Sequence, residues 1–231
     1  KAANWLAPEE YKKLPDAEKY QLALDRYKKN KKTNWQIGRD YERYVGYRYE
    51  KEGYKVEYIG AIKGYEDLGR DLIAKKSGKT HIIQCKYWAK RKTIHEKHIF
   101  QLFGTTIQYF INHNKLHQHG KQLDFFVDLL KGANIKAVFI TSINLSEMAL
   151  KVAKALSIQV EENYPMKDYP MIKCNVSRVD GEKIYHLPFD QQYDNVIIEP
   201  SRGEFYANTV QEAENKGFRR AFRWRGNSNE T

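Results

Sequence analysis

Cysteine is nearly absent. Cys85 and Cys174 are the only two, too few for a disulfide framework and too far apart for a CxxC metal site, so a reducing, cytoplasmic setting fits. No apolar run approaches the roughly 18 residues that cross a bilayer, and the N-terminus has no signal-peptide pattern, so no membrane is expected as a partner. Acidic residues are in deficit, with 29 Asp and Glu against 40 Lys and Arg and a net charge of +11. Ribosomal, membrane-surface and nucleic-acid proteins share such a balance, and with no membrane signal a nucleic acid ranks first. The chain begins with Lys rather than Met, compatible with an excised piece whose upstream domain or defence-system partner lies elsewhere.

The 231 residues suffice for one sizeable α/β core and an appendage. Residues 1–33 read as a helical lead-in, with Pro15 and Asp16 opening AEKYQLALDRYKK. A helix is expected from Asn34 to Glu52, with Ile37, Tyr41, Val45 and Tyr49 as its apolar stripe and Gly53 as its left-handed stop. Three strand-like runs follow, YKVEYIG, RDLIAKK and THIIQCKYW, the last two joined by a tight turn at Ser77 and Gly78. KTIHEKHIFQLFGTTIQYFINHN reads as a helix with one buried face. KAVFIT, LSEMALKVAKAL and IQV then make a βαβ unit. From residue 164 to 231 the texture becomes that of a small α+β module, in which Thr209 and Glu212 form a capping box and Gly217 ends the helix. Residues 34–163 are the expected main domain.

The chemistry concentrates at the hairpin. A symmetric turn at Ser77 and Gly78 sets Asp71 opposite Gln84, and opposed residues share a sheet face with Cβ atoms about 4.5 to 5.5 Å apart. Lys86 falls on that face by the two-residue period of a strand, whereas Cys85 points the other way. A carboxylate, an amide oxygen and an ammonium are a useful mixture for phosphodiester hydrolysis, in which an oxygen-ligated divalent ion activates water and the ammonium orients it or stabilises charge. Magnesium accepts such hard oxygen ligands, and Glu42 could add a second carboxylate from the preceding helix. A solvated face where an acid and a lysine happen to meet is the plainer alternative.

At these residues the sequence resembles a known family. GRDYERYVG, GYKVEYIG, GYEDLGRDLIAKKSGK and IIQCKYW, with AVFITSINLSEMALKVAKALSIQV downstream, are similar in order and spacing to the Mrr-type restriction endonucleases of the PD-(D/E)XK superfamily, over about residues 36–163. The resemblance implies an α/β, restriction-endonuclease-like core whose central mixed β-sheet is flanked by helices. It matches Asp71 to the family aspartate, Gln84 and Lys86 to the QXK element, and Glu42 to the helix glutamate. Asp71, Gln84 and Glu42 then become the metal ligands, and Gln101 a supporting residue outside them. The implied activity is a hydrolase cutting double-stranded DNA with magnesium, or manganese in its place, in restriction or anti-phage defence. A homodimer is consistent, because one such site cuts a single strand at a time. Two alternatives stay open: a nuclease selective for structures such as Holliday junctions, and a nuclease-like DNA-binding module that has lost cleavage, since glutamine stands where an acid is commoner.

Other features carry less. Asp67 reads as a turn residue. His113, His117 and His119 lack a cysteine partner and read as a polar loop. In the C-terminal stretch GFRRAFRWRG, Arg219, Arg220, Arg223, Trp224 and Arg225 could meet phosphates and bases, or the stretch is an edge strand with a basic outer face.

Overall fold

The computed structural model describes residues 2–60, 69–88, 92–113, 132 and 134–221. Its helices are α1 (Pro8–Lys13), α2 (Asp16–Lys29), α3 (Asn34–Lys51), α4 (Glu96–His113), α5 (Glu147–Ala155) and α6 (Val210–Asn215). Its strands are β1 (Lys55–Tyr58), β2 (Leu72–Lys76), β3 (Lys79–Lys86), β4 (Ile135–Thr141), β5 (Gln159–Glu161), β6 (Ile172–Val176), β7 (Lys183–His186), β8 (Phe205–Ala207) and β9 (Arg219–Arg220). The chain divides into two compact units. One spans residues 32–168, and the other joins residues up to Lys31 with those from Tyr169 onward.

The first unit is the expected α/β core, a sheet of order β1-β2-β3-β4-β5 flanked by helices. Its β1–β2 and β2–β3 pairs are antiparallel, and β3–β4 and β4–β5 are parallel. At the hairpin, Ser77 (φ 47°) and Gly78 (φ 76°) both lie in the left-handed region, the conformation of a two-residue primed turn. That turn fixes the register Leu72↔Ile83, Ile73↔Ile82 and Ala74↔His81. Strand alternation then sorts side chains between two helical layers. Ile73, Ile82 and Phe139 pack with Ile99 and Leu102 of α4 in one core cluster. On the other side His81 meets the ring of Tyr49, and Tyr87 that of Tyr41, both on α3.

Helix α3 begins at Asn34, as expected. The Thr33 hydroxyl accepts from Gln36 N at 3.3 Å, and Gln36 Oε1 accepts from Thr33 N at 2.8 Å, satisfying two donors that a helix start otherwise leaves open. Residues at the far end of the unit close against this helix: the Tyr41 hydroxyl donates to Tyr164 O, and the Tyr44 and Tyr164 rings stack at 5.8 Å. So Tyr164 belongs to the core unit by its contacts. Among the described residues, no helix is long and apolar enough to cross a membrane.

The second unit has a four-stranded sheet of order β8-β6-β7-β9 and the helix α6, whose cap Thr209 accepts from Glu212 N at 3.1 Å. The N-terminal residues belong to it: Trp5 packs edge-on to Tyr27 and lies 6.1 Å from the Phe189 ring, and Val210 N donates to Gln21. Arg219 and Arg220 of the basic stretch form β9, parallel to β7.

Gly46 tests the fit between α3 and β1. A Cβ there would stand 2.3 Å from the Tyr58 hydroxyl and 2.5 Å from its ring, and that hydroxyl is tied to Glu50 at 3.1 Å. Alanine gains about 1 kcal/mol of helix propensity, but overpacking costs about 1–3 kcal/mol. Gly46→Ala should therefore lower stability by up to about 2 kcal/mol in urea unfolding, and a stabilised variant would contradict this packing.

Candidate active site

The strand pair β2–β3 does not continue regularly past Leu72↔Ile83. Asp71 N donates to Ile83 O at 2.8 Å, and the Asp71 carboxylate, through Oδ2, accepts from Cys85 N at 2.6 Å. A side chain thus takes an amide that a continuing strand would have paired with a main-chain carbonyl, and the simple Asp71–Gln84 opposition of the sequence register is replaced by this side-chain bridge. On its other side, Asp71 O accepts from Gly60 N at 3.0 Å. The aspartate, 5% exposed, is held by both neighbouring segments.

Glu42 reaches the same place from α3. A Cβ built on Gly60 would lie 3.1 Å from Glu42 Oε2 and 3.3 Å from Asp71 Oδ1, so the two carboxylates flank one glycine, separated by no more than those distances end to end. Any larger residue at position 60 would crowd both acids. Their joint field is felt next door: burial, then Asp71, then Glu42 push the Cys85 thiol well above its ordinary range, with Lys86 opposing. Cys85, expected to point away from Gln84 and Lys86, thus lies beside both acids.

Gln84 is fully buried. Its Nε2 donates to Gln101 Oε1 on α4 at 3.4 Å, and its Oε1 has no hydrogen-bond partner among the described residues. A buried carbonyl oxygen left without a donor costs about 1–3 kcal/mol, so a native structure needs a reason for it. A cation is one such reason. Two carboxylates and an amide oxygen form the hard donor set that magnesium or calcium accepts, with water filling the remaining positions. Zinc-type sets do not arise: no group of three His, Cys, Asp or Glu suited to a metal occurs among the described residues.

Lys86 and Glu42 line a cleft of about 310 Å³, together with Trp35, Arg39, Trp88 and Lys92 among others. Lys86 also acts on the α4 side, where burial, and then the Lys86 charge, lower His98 to about 4. So Gln84 and Lys86 both reach towards α4, as strand alternation requires. Sequence reading missed Gly60, Gly69, His98 and the tryptophan pair. Gly69 (φ 80°) has a signal only in hindsight, since a Cβ there would come within 2.5 Å of Gln101. The spacing of Trp35 and Arg39, one helical turn apart, was readable.

His113 stacks on Tyr109 at 5.6 Å, at the end of α4. Arg219 pairs with Glu182, and Arg220 pairs with Asp190 while lying over the rings of Tyr20 and Tyr185, so both guanidinium groups are engaged within their own unit. Asp67, His117, His119, Arg223, Trp224 and Arg225 fall outside the described residues.

Residues 35–116 match the Mrr catalytic-domain family model, described as a restriction endonuclease. No curated protein matches the chain. A crystal structure of a protein of unknown function, AF1548, aligns with a TM-score of 0.34 and 19% identity, over 60% of this chain and 72% of that one.

The placement of Lys86 can be checked without any substrate. His98 should titrate near 4 by NMR, and Lys86→Met should move that midpoint upward. Because the folded value is depressed from 6.5, stability falls as pH drops from there towards 4, where only the unfolded chain gains the proton. An unmoved midpoint in Lys86→Met would put the ammonium away from α4.

Proposed function

We propose that this protein, whose residues 35–116 match the restriction endonuclease family model, is a magnesium-dependent endonuclease hydrolysing phosphodiester bonds of double-stranded DNA, in restriction or anti-phage defence. One observation carries the reading: the Asp71 and Glu42 carboxylates converge on Gly60 beside a cleft lined by Lys86, and Gln84, two residues before Lys86 on β3, has a buried oxygen without a donor among the described residues.

Asp71, Glu42 and the Gln84 carbonyl oxygen are the ligands in this reading, with magnesium preferred and manganese able to replace it. Once bound, the ion would neutralise phosphate charge and lower the pKa of a coordinated water. The chain's own groups do the rest. Cys85 N–H fixes one Asp71 oxygen, leaving the other directed to the Gly60 side. Gln101 fixes the Gln84 amide so that its oxygen, not its nitrogen, faces the unpartnered position. The Lys86 ammonium donates hydrogen bonds, either to the attacking water or to the phosphoryl oxygens as their charge grows. Arg39, Lys86 and Lys92 give the cleft three cations against Glu42 among its described lining residues, a field that draws a polyanion inward. A homodimer would bring two such sites to the two strands of a duplex.

Supercoiled plasmid incubated with protein and magnesium should be nicked, and EDTA should stop it. Asp71→Ala and Lys86→Ala should each slow nicking by about 100-fold or more, the usual loss when a transition-state contact is removed. Wild-type protein that cuts no faster than Asp71→Ala would end the proposal. Preferential cleavage of four-way junctions, or of RNA in equal-length competition, would redirect it to another substrate.

A further inference from the structure

The cleft beside Lys86 holds more than charge. Trp35, in the first turn of α3, is 68% exposed, an unusual position for an indole. The Arg39 guanidinium carbon lies 5.3 Å from its ring centre. Trp88, just past the end of β3, has Lys92 Nζ 5.4 Å from its ring centre. Two aromatic surfaces, each accompanied by a cation, therefore line the same cleft as Glu42 and Lys86. Trp88 is also pre-positioned. Its main-chain N donates to Ser142 Oγ at 3.1 Å and its O accepts from the same hydroxyl at 3.3 Å, while its ring meets His98 edge-on at 5.2 Å.

Resting on the endonuclease reading above, we propose that this cleft is a stacking subsite that takes one unstacked nucleobase beside the phosphate to be cut, with Trp35 and Trp88 meeting the base and Arg39 and Lys92 meeting the adjoining phosphates. An intact duplex shows a protein only the edges of its bases, because their faces are covered by stacking. Indole surfaces at a cleavage cleft therefore find a partner only when a base leaves the stack. Cations combined with aromatic faces are the means by which proteins hold exposed bases on a strand. The cost of extruding a base is least where pairing is mismatched or damaged, so the site favours DNA with an unpaired, mismatched or weakened pair next to the scissile phosphate. The cluster also explains why an exposed indole sits one helical turn before Arg39: the two groups serve adjacent parts of the same nucleotide.

The test is binding in EDTA, so that cleavage plays no part. Two hairpin duplexes carrying 2-aminopurine are compared, one with that base unpaired and one with it paired. Wild-type protein should bind the unpaired form about tenfold more tightly and quench its fluorescence, a gain within the range for one stacked base. Trp35→Ala and Trp88→Ala should lose that preference while still binding the paired duplex in a salt-dependent manner. Trp35 is exposed enough that its variant keeps the test decisive if Trp88→Ala unfolds. Equal affinity of the wild type for both duplexes, or a preference that survives removal of either indole, would overturn the subsite. If magnesium-dependent nicking persists alongside that result, only the subsite falls. If neither duplex binds, the endonuclease reading falls with it.

Discussion

The bond from Cys85 N–H to the Asp71 carboxylate is the contact on which the geometry of this site rests. It replaces a rung of the β2–β3 ladder with a side chain, and thereby stops the regular pairing at Leu72↔Ile83. With one carboxylate oxygen spent on the strand, the other lies on the Gly60 side, where Glu42 arrives from α3. A charge-assisted bond of this kind is worth about 1.5–3 kcal/mol, enough to offset the lost ladder contact. Burial, and then the two acids beside it, raise the Cys85 thiol well above its ordinary range and keep it protonated.

The surrounding fold serves to hold three elements in register at this point. The primed turn at Ser77 and Gly78 sets β2 against β3, the Thr33 cap sets the start of α3, and Gly46 lets α3 come down on Tyr58. From the other face α4 brings Gln101 to Gln84, across from Gly69, whose lack of a side chain makes room for that contact. Gly46 and Gly69 each stand where a Cβ would meet a supporting side chain. The result is an inward cluster of oxygen donors beside an outward cleft of cations and indoles.

Most of the core was legible in the sequence because its local signals agree with its packing. Gly53, the Ser77–Gly78 turn and the alternation in THIIQCKYW each name their element, and tertiary contacts do not override them. The second unit was less legible. Strands β8 and β9 are three and two residues long, too short to show a period, and nothing local announces that α2 packs with α6. At the site, the register placed Asp71 close to Gln84, but the side-chain bridge that ends the ladder is a tertiary event without a pattern. The convergence of Glu42 on Gly60 was likewise invisible, since it joins a helix to a strand end through a residue with no side chain.

The central claim is that Asp71, Glu42 and the Gln84 oxygen, which has no donor among the described residues, form one cation site. Calorimetric titration with magnesium, and with manganese, measures this in the absence of any nucleic acid. The account predicts saturable binding that disappears in Asp71→Asn and tightens in Gln84→Glu, where a third carboxylate replaces the amide. Binding of equal strength in wild type and Asp71→Asn, or none in either, would contradict it.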